Sequence, residues 1–115
     1  MITESVLKWR LISPTMMAAQ LDKLITMSRM PNISIGVVPL SAPMTDLPSS
    51  SFALFDNRLV IVEIPHAKVT TTEPRDIERY VTKFDGFEQV AVADEGMRTL
   101  MEGIRDDFLR EQEIN

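Results

Sequence analysis

Apolar positions change their period several times along the chain, and each change marks an element. Ser13-Pro14 supplies an N-cap residue and then proline at the first helical position, where its missing N–H costs nothing. Met17, Leu21, Leu24 and Ser28 follow on one stripe, flanked by Met16, Ile25 and Met27, while Asp22, Lys23 and Arg29 fall mostly on the other side. This spacing predicts a helix from Pro14 that ends before Pro31. The stretch before it, Thr3 to Leu11, has apolar residues at 7 and 11 and fits either a short helix or an extended arm. After Pro31 the period falls to two, with Ile33, Ile35 and Val37 alternating until Pro39, which predicts a strand.

Leu40 to Ser51 has two prolines, four serines and no period, and is expected to form a long loop. Phe52–Phe55 and Leu59–Ile64 read as strands joined by Asp56-Asn57-Arg58, because Asp and Asn tolerate the positive φ of a tight hairpin. The nearly continuous apolar run Leu59–Ile64 suggests a central strand covered on both faces. Residues 65–72 are β-branched and irregular. Thr72-Glu73-Pro74 then starts a helix with Ile77, Tyr80, Val81, Phe84, Phe87 and Ala91 along one face, and Asp94 is placed to cap a last helix with the stripe Met97, Leu100, Met101, Ile104 and Phe108. The predicted order is α-α-β-β-β-α-α. It describes an α+β fold in which a small, mostly antiparallel three-stranded sheet packs on helices.

Composition narrows this picture. The chain has 115 residues, 44% of them hydrophobic, and a chain of this size buries roughly two thirds of the surface it exposes when unfolded. A single domain over residues 1–115, with a core that needs no staples, is the expectation. The absence of cysteine removes disulfides, thiolate nucleophiles and most structural zinc sites, and His66 is the only imidazole. No apolar run approaches the roughly 20 residues that span a bilayer. The start lacks the basic-then-apolar order of a signal peptide, so a cytoplasmic protein without membrane contact is expected. Residues 1–72 carry a net +1 and residues 73–115 a net −6. An acidic half without a Lys/Arg cluster argues against direct nucleic-acid contact by this chain. Those charges fit a solvated helix surface or a docking face for a basic partner.

Catalytic signatures are sparse. Ser49, Ser50 and Ser51 offer hydroxyls, but no nucleophile-elbow motif surrounds them, and the four glycines form no phosphate loop. With no catalytic motif, an enzyme is not expected, and no cofactor is called for. Glu4, Asp46, Asp56 and Glu63 are candidates in that they lie outside the acidic helices, and the last interrupts an apolar strand. Glu63 either reaches solvent near the strand end, pairs with Arg58, anchors an internal pocket or takes part in catalysis. The eight methionines fit core filler or an adaptable groove. Trp9 fits an anchor against its own domain or against a second subunit.

Several pieces occur together in a recognisable order. They are Thr3-Glu4-Ser5-Val6-Leu7, Met17-x-x-Gln20-Leu21-x-x-Leu24, Pro31-Asn32-Ile33-x-Ile35-x-Val37-x-Pro39, Phe52-x-Leu54-Phe55, Val60-Ile61-Val62-Glu63 and Ile77-x-x-Tyr80-x-x-x-Phe84-x-x-Phe87-x-x-x-Ala91. The set resembles the C-terminal domain of unknown function that follows the helix-turn-helix in XRE-type transcription regulators of actinobacteria. The likeness runs from about Thr3 to Arg105. It departs from the family pattern at Ala93-Asp94-Glu95-Gly96-Met97, where a Ser-Pro-Glu-Glu-Ser start is usual, and at Ser51, where glycine is.

The resemblance implies a ligand-sensing or protein-interaction domain whose DNA-reading part would precede Met1. It also implies a homodimer, since such regulators read paired half-sites, and an unknown small-molecule effector or small protein partner. Glu4, Gln20, Asn32 and Glu63 are the polar positions it carries over as lining a shared pocket, while Asn32 is equally explained as a turn residue. Two other readings stand beside it. One is a stand-alone interaction module acting through its acidic helices, and the other is a small hydrolase using Glu63 or His66 in a cleft.

Overall fold

A computed structural model describes residues 1–43 and 50–114, the side chains of 112–114 aside. In chain order the elements are β1 (Ile2–Thr3), α1 (Glu4–Lys8), α2 (Pro14–Ser28), β2 (Gly36–Val38), β3 (Ser51–Phe55), β4 (Leu59–Ile64), β5 (Ala67–Thr71), α3 (Pro74–Val90), β6 (Val92–Ala93) and α4 (Asp94–Ile114). The architecture is α+β, and the pieces visible in the sequence follow the order α-α-β-β-β-α-α. The three predicted strands are divided between two three-stranded sheets, β1-β2-β6 and β3-β4-β5. Contacts group the chain into two compact units, Met1–Ala42 with Ala91–Asn115, and Pro43–Val90.

The first unit is held by α2 against α4. The Ser13 hydroxyl accepts the Met16 N–H at 3.3 Å, the N-cap that the Ser-Pro pair predicts. Cross-links between the helices run in opposite order along the two chains, Asp22 to Arg105 and Ser28 to Arg98, so the helices are antiparallel. Between them Leu21, Met97 and Met101 are almost fully buried, joined by Leu7, Met17, Ala18, Ile25, Ile104 and Phe108. Helical periodicity thus located this core, with Met97 and Met101 as filler. Met16, placed beside the stripe, instead stands 57% exposed.

A small sheet closes one side of this unit. β1 runs parallel to β2, with Ile2 opposite Val37 and Thr3 opposite Val38, and β6 runs antiparallel on the other edge. The opening stretch is therefore both things its pattern allowed, an extended pair of residues followed by one helical turn and a half. Gly36 allows the Met1 side chain to approach, since a Cβ there would sit 3.2 Å from the Met1 Sδ and Cε atoms.

In the second unit β3 and β4 form the predicted hairpin, with Phe52 opposite Val62 and Leu54 opposite Val60. Asp56 takes φ 52° at its turn, the left-handed conformation expected of an Asp-Asn pair, and the Arg58 N–H returns to the Phe55 carbonyl at 3.2 Å. β5 adds a third strand, pairing Val62 with Val69 and Glu63 with Lys68, which makes β4 central. Val60, Val62 and Ile77 form the core here, with Phe52, Leu54, Tyr80 and Val81 against them. The Phe52 and Tyr80 rings lie 5.0 Å apart at a tilt. β4 alternates along its length: Val60 and Val62 are buried, Leu59 and Ile61 half-buried, and Glu63 and Ile64 exposed. The expected cover on both faces is thus uneven. The predicted loop at 40–51 continues as a turn through 40–43, and its residues 44–49 lie outside the described residues.

Candidate functional site

Glu4 is the one predicted site residue whose side chain is drawn into the fold. It begins α1 directly after β1, and the pairing of Thr3 with Val38 brings it beside the chain leaving β2. Its Oε1 accepts the Leu40 N–H at 2.8 Å and its Oε2 lies 2.7 Å from the Lys8 Nζ. Lys8 first, and the Leu40 N–H next, hold its carboxyl below the usual carboxylate range, against the opposing effect of burial. A carboxylate with both oxygens engaged in this way ties the 39–42 turn to α1.

The other three residues are placed differently. Gln20 is exposed on α2, and Asn32 is exposed in the turn between α2 and β2. Glu63 belongs to the second unit, where its side chain is 55% exposed and lies 3.8 Å from Lys68, its cross-strand partner. Its polar interruption of the apolar run thus marks the solvent end of β4, and the cation it meets is Lys68. Neither Gln20, Asn32 nor Glu63 is among the residues that line the described grooves, and Asp46 and Ser49 lie outside the described residues. His66 is exposed in the turn between β4 and β5. Among the described residues no group of three His, Cys, Asp or Glu is placed to hold a metal ion.

Two open, adjoining grooves run along α4 in the first unit. One, of about 180 Å3, is lined by Lys8, Arg10, Ile104, Asp107, Phe108 and Glu111. The other shares Lys8 and Asp107 and extends past Leu100 and Gly103 to Asp106 and Arg110. Arg10 lines the first of them. Its Nε and one terminal nitrogen donate to Glu111 at 3.0 and 3.1 Å, and its guanidinium lies 6.0 Å above the Phe108 ring. Arg110 pairs with Asp107, and Arg105 with both Asp106 and Asp22. The chain on either side of Arg10 leaves its apolar residues in solvent: Trp9 is 54% exposed, Leu11 80% and Ile12 44%. Trp9 therefore does not serve as an anchor within the core of its unit.

Sequence reasoning missed these grooves because their halves lie about a hundred residues apart. The apolar Trp9, Leu11 and Ile12, clustered just before a helix start, line neither groove and gave no local signal for them. At the far end of the helix pair, Arg98 donates to the Ser28 hydroxyl at 3.0 Å and the Ser28 carbonyl at 3.2 Å, while the hydroxyl donates to the Ile25 carbonyl at 2.6 Å. This arrangement satisfies the end of α2 and is structural.

No helix among the described residues is long and apolar enough to cross a membrane. No curated protein and no solved structure matches the chain. A family model does match, over residues 1–103, and so takes in elements of both units. By that match the chain belongs to the family described as Domain of unknown function (DUF5753).

Proposed function

We propose that this chain is the regulatory, protein-interaction domain of an XRE-type helix-turn-helix transcription regulator of actinobacterial kind, lying C-terminal to the DNA-reading part and working as a cytoplasmic homodimer. The observation that carries the interaction reading is the first unit, where Trp9, Leu11, Ile12 and Met16 are each exposed. Exposed large apolar residues rimmed by polar ones are the mark of surfaces that meet other macromolecules. The regulator context rests on the resemblance of the ordered motifs from Thr3 to Ala91, and the family match over residues 1–103 agrees with the domain of unknown function in that resemblance. The net −6 of residues 73–115 fits a division of labour in which phosphate contact belongs to another part of the protein.

The test has two arms. The coding sequence upstream of Met1 is expected to encode a helix-turn-helix in frame, and an upstream sequence without one would remove the regulator context. A thermal-shift screen against a metabolite library is expected to leave the melting temperature unchanged. Clear stabilisation by a small molecule would replace the interaction reading with ligand sensing.

A further inference from the structure

We infer that residues 2–10 form a strap that releases from the first unit in one piece while α2 and α4 stay packed. The strap is lightly anchored. It contributes Leu7 to the buried core, with Ile2 packed at the margin, and Trp9 at its far end stays largely in solvent. The two long helices instead bring Leu21, Ile25, Met97, Met101 and Ile104, each at most 5% exposed, and are tied at two further points by Asp22 to Arg105 and Ser28 to Arg98. A segment opens at a free energy set by the contacts it must give up, so the strap leaves before the helices part.

Glu4 makes the strap a single piece. β1 has two residues and α1 five, and a helix that short holds its shape only through packing. Glu4 follows β1 directly and begins α1, and its Oε1 accepts the Leu40 N–H at 2.8 Å while Lys8, one turn on, holds its Oε2 at 2.7 Å. That bond needs β1 on β2 and α1 wound at the same time. Losing Leu7 from the core therefore loosens the bond, and losing the bond loosens Leu7. The remaining tie, Arg10 to Glu111, lies at the surface with the Arg10 side chain 67% exposed, and contributes less than the buried attachments. After release β2 keeps β6 on its other edge, and β6 leads straight into α4. The strap thus hides two features together, the β2 edge that β1 covers and the apolar seat of Leu7.

Native-state amide exchange of the full chain tests this. The Leu40 N–H is bonded to the strap without belonging to it, and so reports release. It is expected to exchange about tenfold or more faster than the amides of Leu21 and Met101, and to respond little to low urea because release exposes little surface. Three variants separate release from unfolding of the whole unit. Arg98→Ala removes bonds at the end of α2 that exist both before and after release. It is expected to speed Leu21 and Met101 about fivefold or more while leaving Leu40 unchanged. Leu7→Ala is expected to speed Leu40 about tenfold or more, although the two are not bonded partners. Glu4→Gln is expected to speed the amides of α1 along with Leu40, by about fivefold. If Arg98→Ala speeds Leu40 as much as Met101, the strap leaves only when the unit unfolds, and the proposal is overturned. It is overturned equally if Leu40 ignores Leu7→Ala, or if the amides of α1 ignore Glu4→Gln, since the attachments would then open separately.

Discussion

Replacing Glu4 with alanine removes a carboxylate that serves two groups at once. The residue is 7% exposed, with the Leu40 N–H at 2.8 Å on one oxygen and the Lys8 Nζ at 2.7 Å on the other. A hydrogen bond to a charged group contributes about 1.5–3 kcal/mol. The Lys8 side chain is 46% exposed, so that ion pair adds about 0.5 kcal/mol or less. Glu4→Ala is expected to lower the unfolding free energy by about 2 kcal/mol, and Glu4→Gln by about 1 kcal/mol because its amide oxygen still accepts from Leu40. Urea denaturation of the three proteins at pH 7 measures these differences, and amide exchange at Leu40 localises them. The pH dependence follows from the direction of the shift. Lys8 and the Leu40 N–H hold the folded-state carboxyl below its ordinary 4.5, so its contribution is present above that pH and is lost as pH falls through the lower folded value. The gap between wild type and Glu4→Gln should therefore close in acid. Equal denaturation midpoints at pH 7, together with unchanged exchange at Leu40, would refute the role assigned to the carboxylate.

The other expectations concern one core residue, the end of α2 and one surface residue. Met101→Ala, at a position with no exposure, should cost about 2–5 kcal/mol by chemical denaturation. Arg98→Ala frees the hydroxyl and carbonyl of Ser28 from their cation and should cost about 1–3 kcal/mol, with faster amide exchange in the last turn of α2 as its local signature. Glu63→Ala should change stability by less than about 0.5 kcal/mol, because both it and Lys68 are largely solvated; a loss above 1.5 kcal/mol would mean that the residue is buried in solution.

The three long helices were legible because each has a full apolar stripe and a start signal, whereas the five-residue α1 has neither. Ser13-Pro14 and Glu73-Pro74 mark the beginnings of α2 and α3 within a residue, and the stripe from Met97 to Phe108 falls on the buried side of α4. The β3–β4 hairpin was legible from two apolar runs and an Asp-Asn turn. β1 and β6 were not, since two residues have no period to show, and their pairing with β2 joins segments far apart in the chain. β5 was hidden for a different reason: its residues Ala67 to Thr70 are exposed, so the strand has no buried side to produce alternation, and the β-branched Val69-Thr70-Thr71 was the one available sign. Of the predicted site, Glu4 stood out only by likeness to a family. What draws it in is the Leu40 N–H, a backbone group 36 residues away that side-chain patterning cannot reveal.

The first unit is built from both ends of the described chain, with the second inserted between Ala42 and Ala91. A ribosome delivers the N-terminal side first. When β1, α1, α2 and β2 have emerged, Met17, Leu21 and Ile25 have no counterpart, because Met97, Met101, Ile104 and Phe108 are still to be made. The inserted unit has the opposite schedule, since its hairpin, third strand and helix are contiguous and its contacts are short-range. Nascent chains would thus complete the insert while the surrounding unit waits for α4. That interval is when an apolar α2 is open to chaperones or to the wrong neighbour.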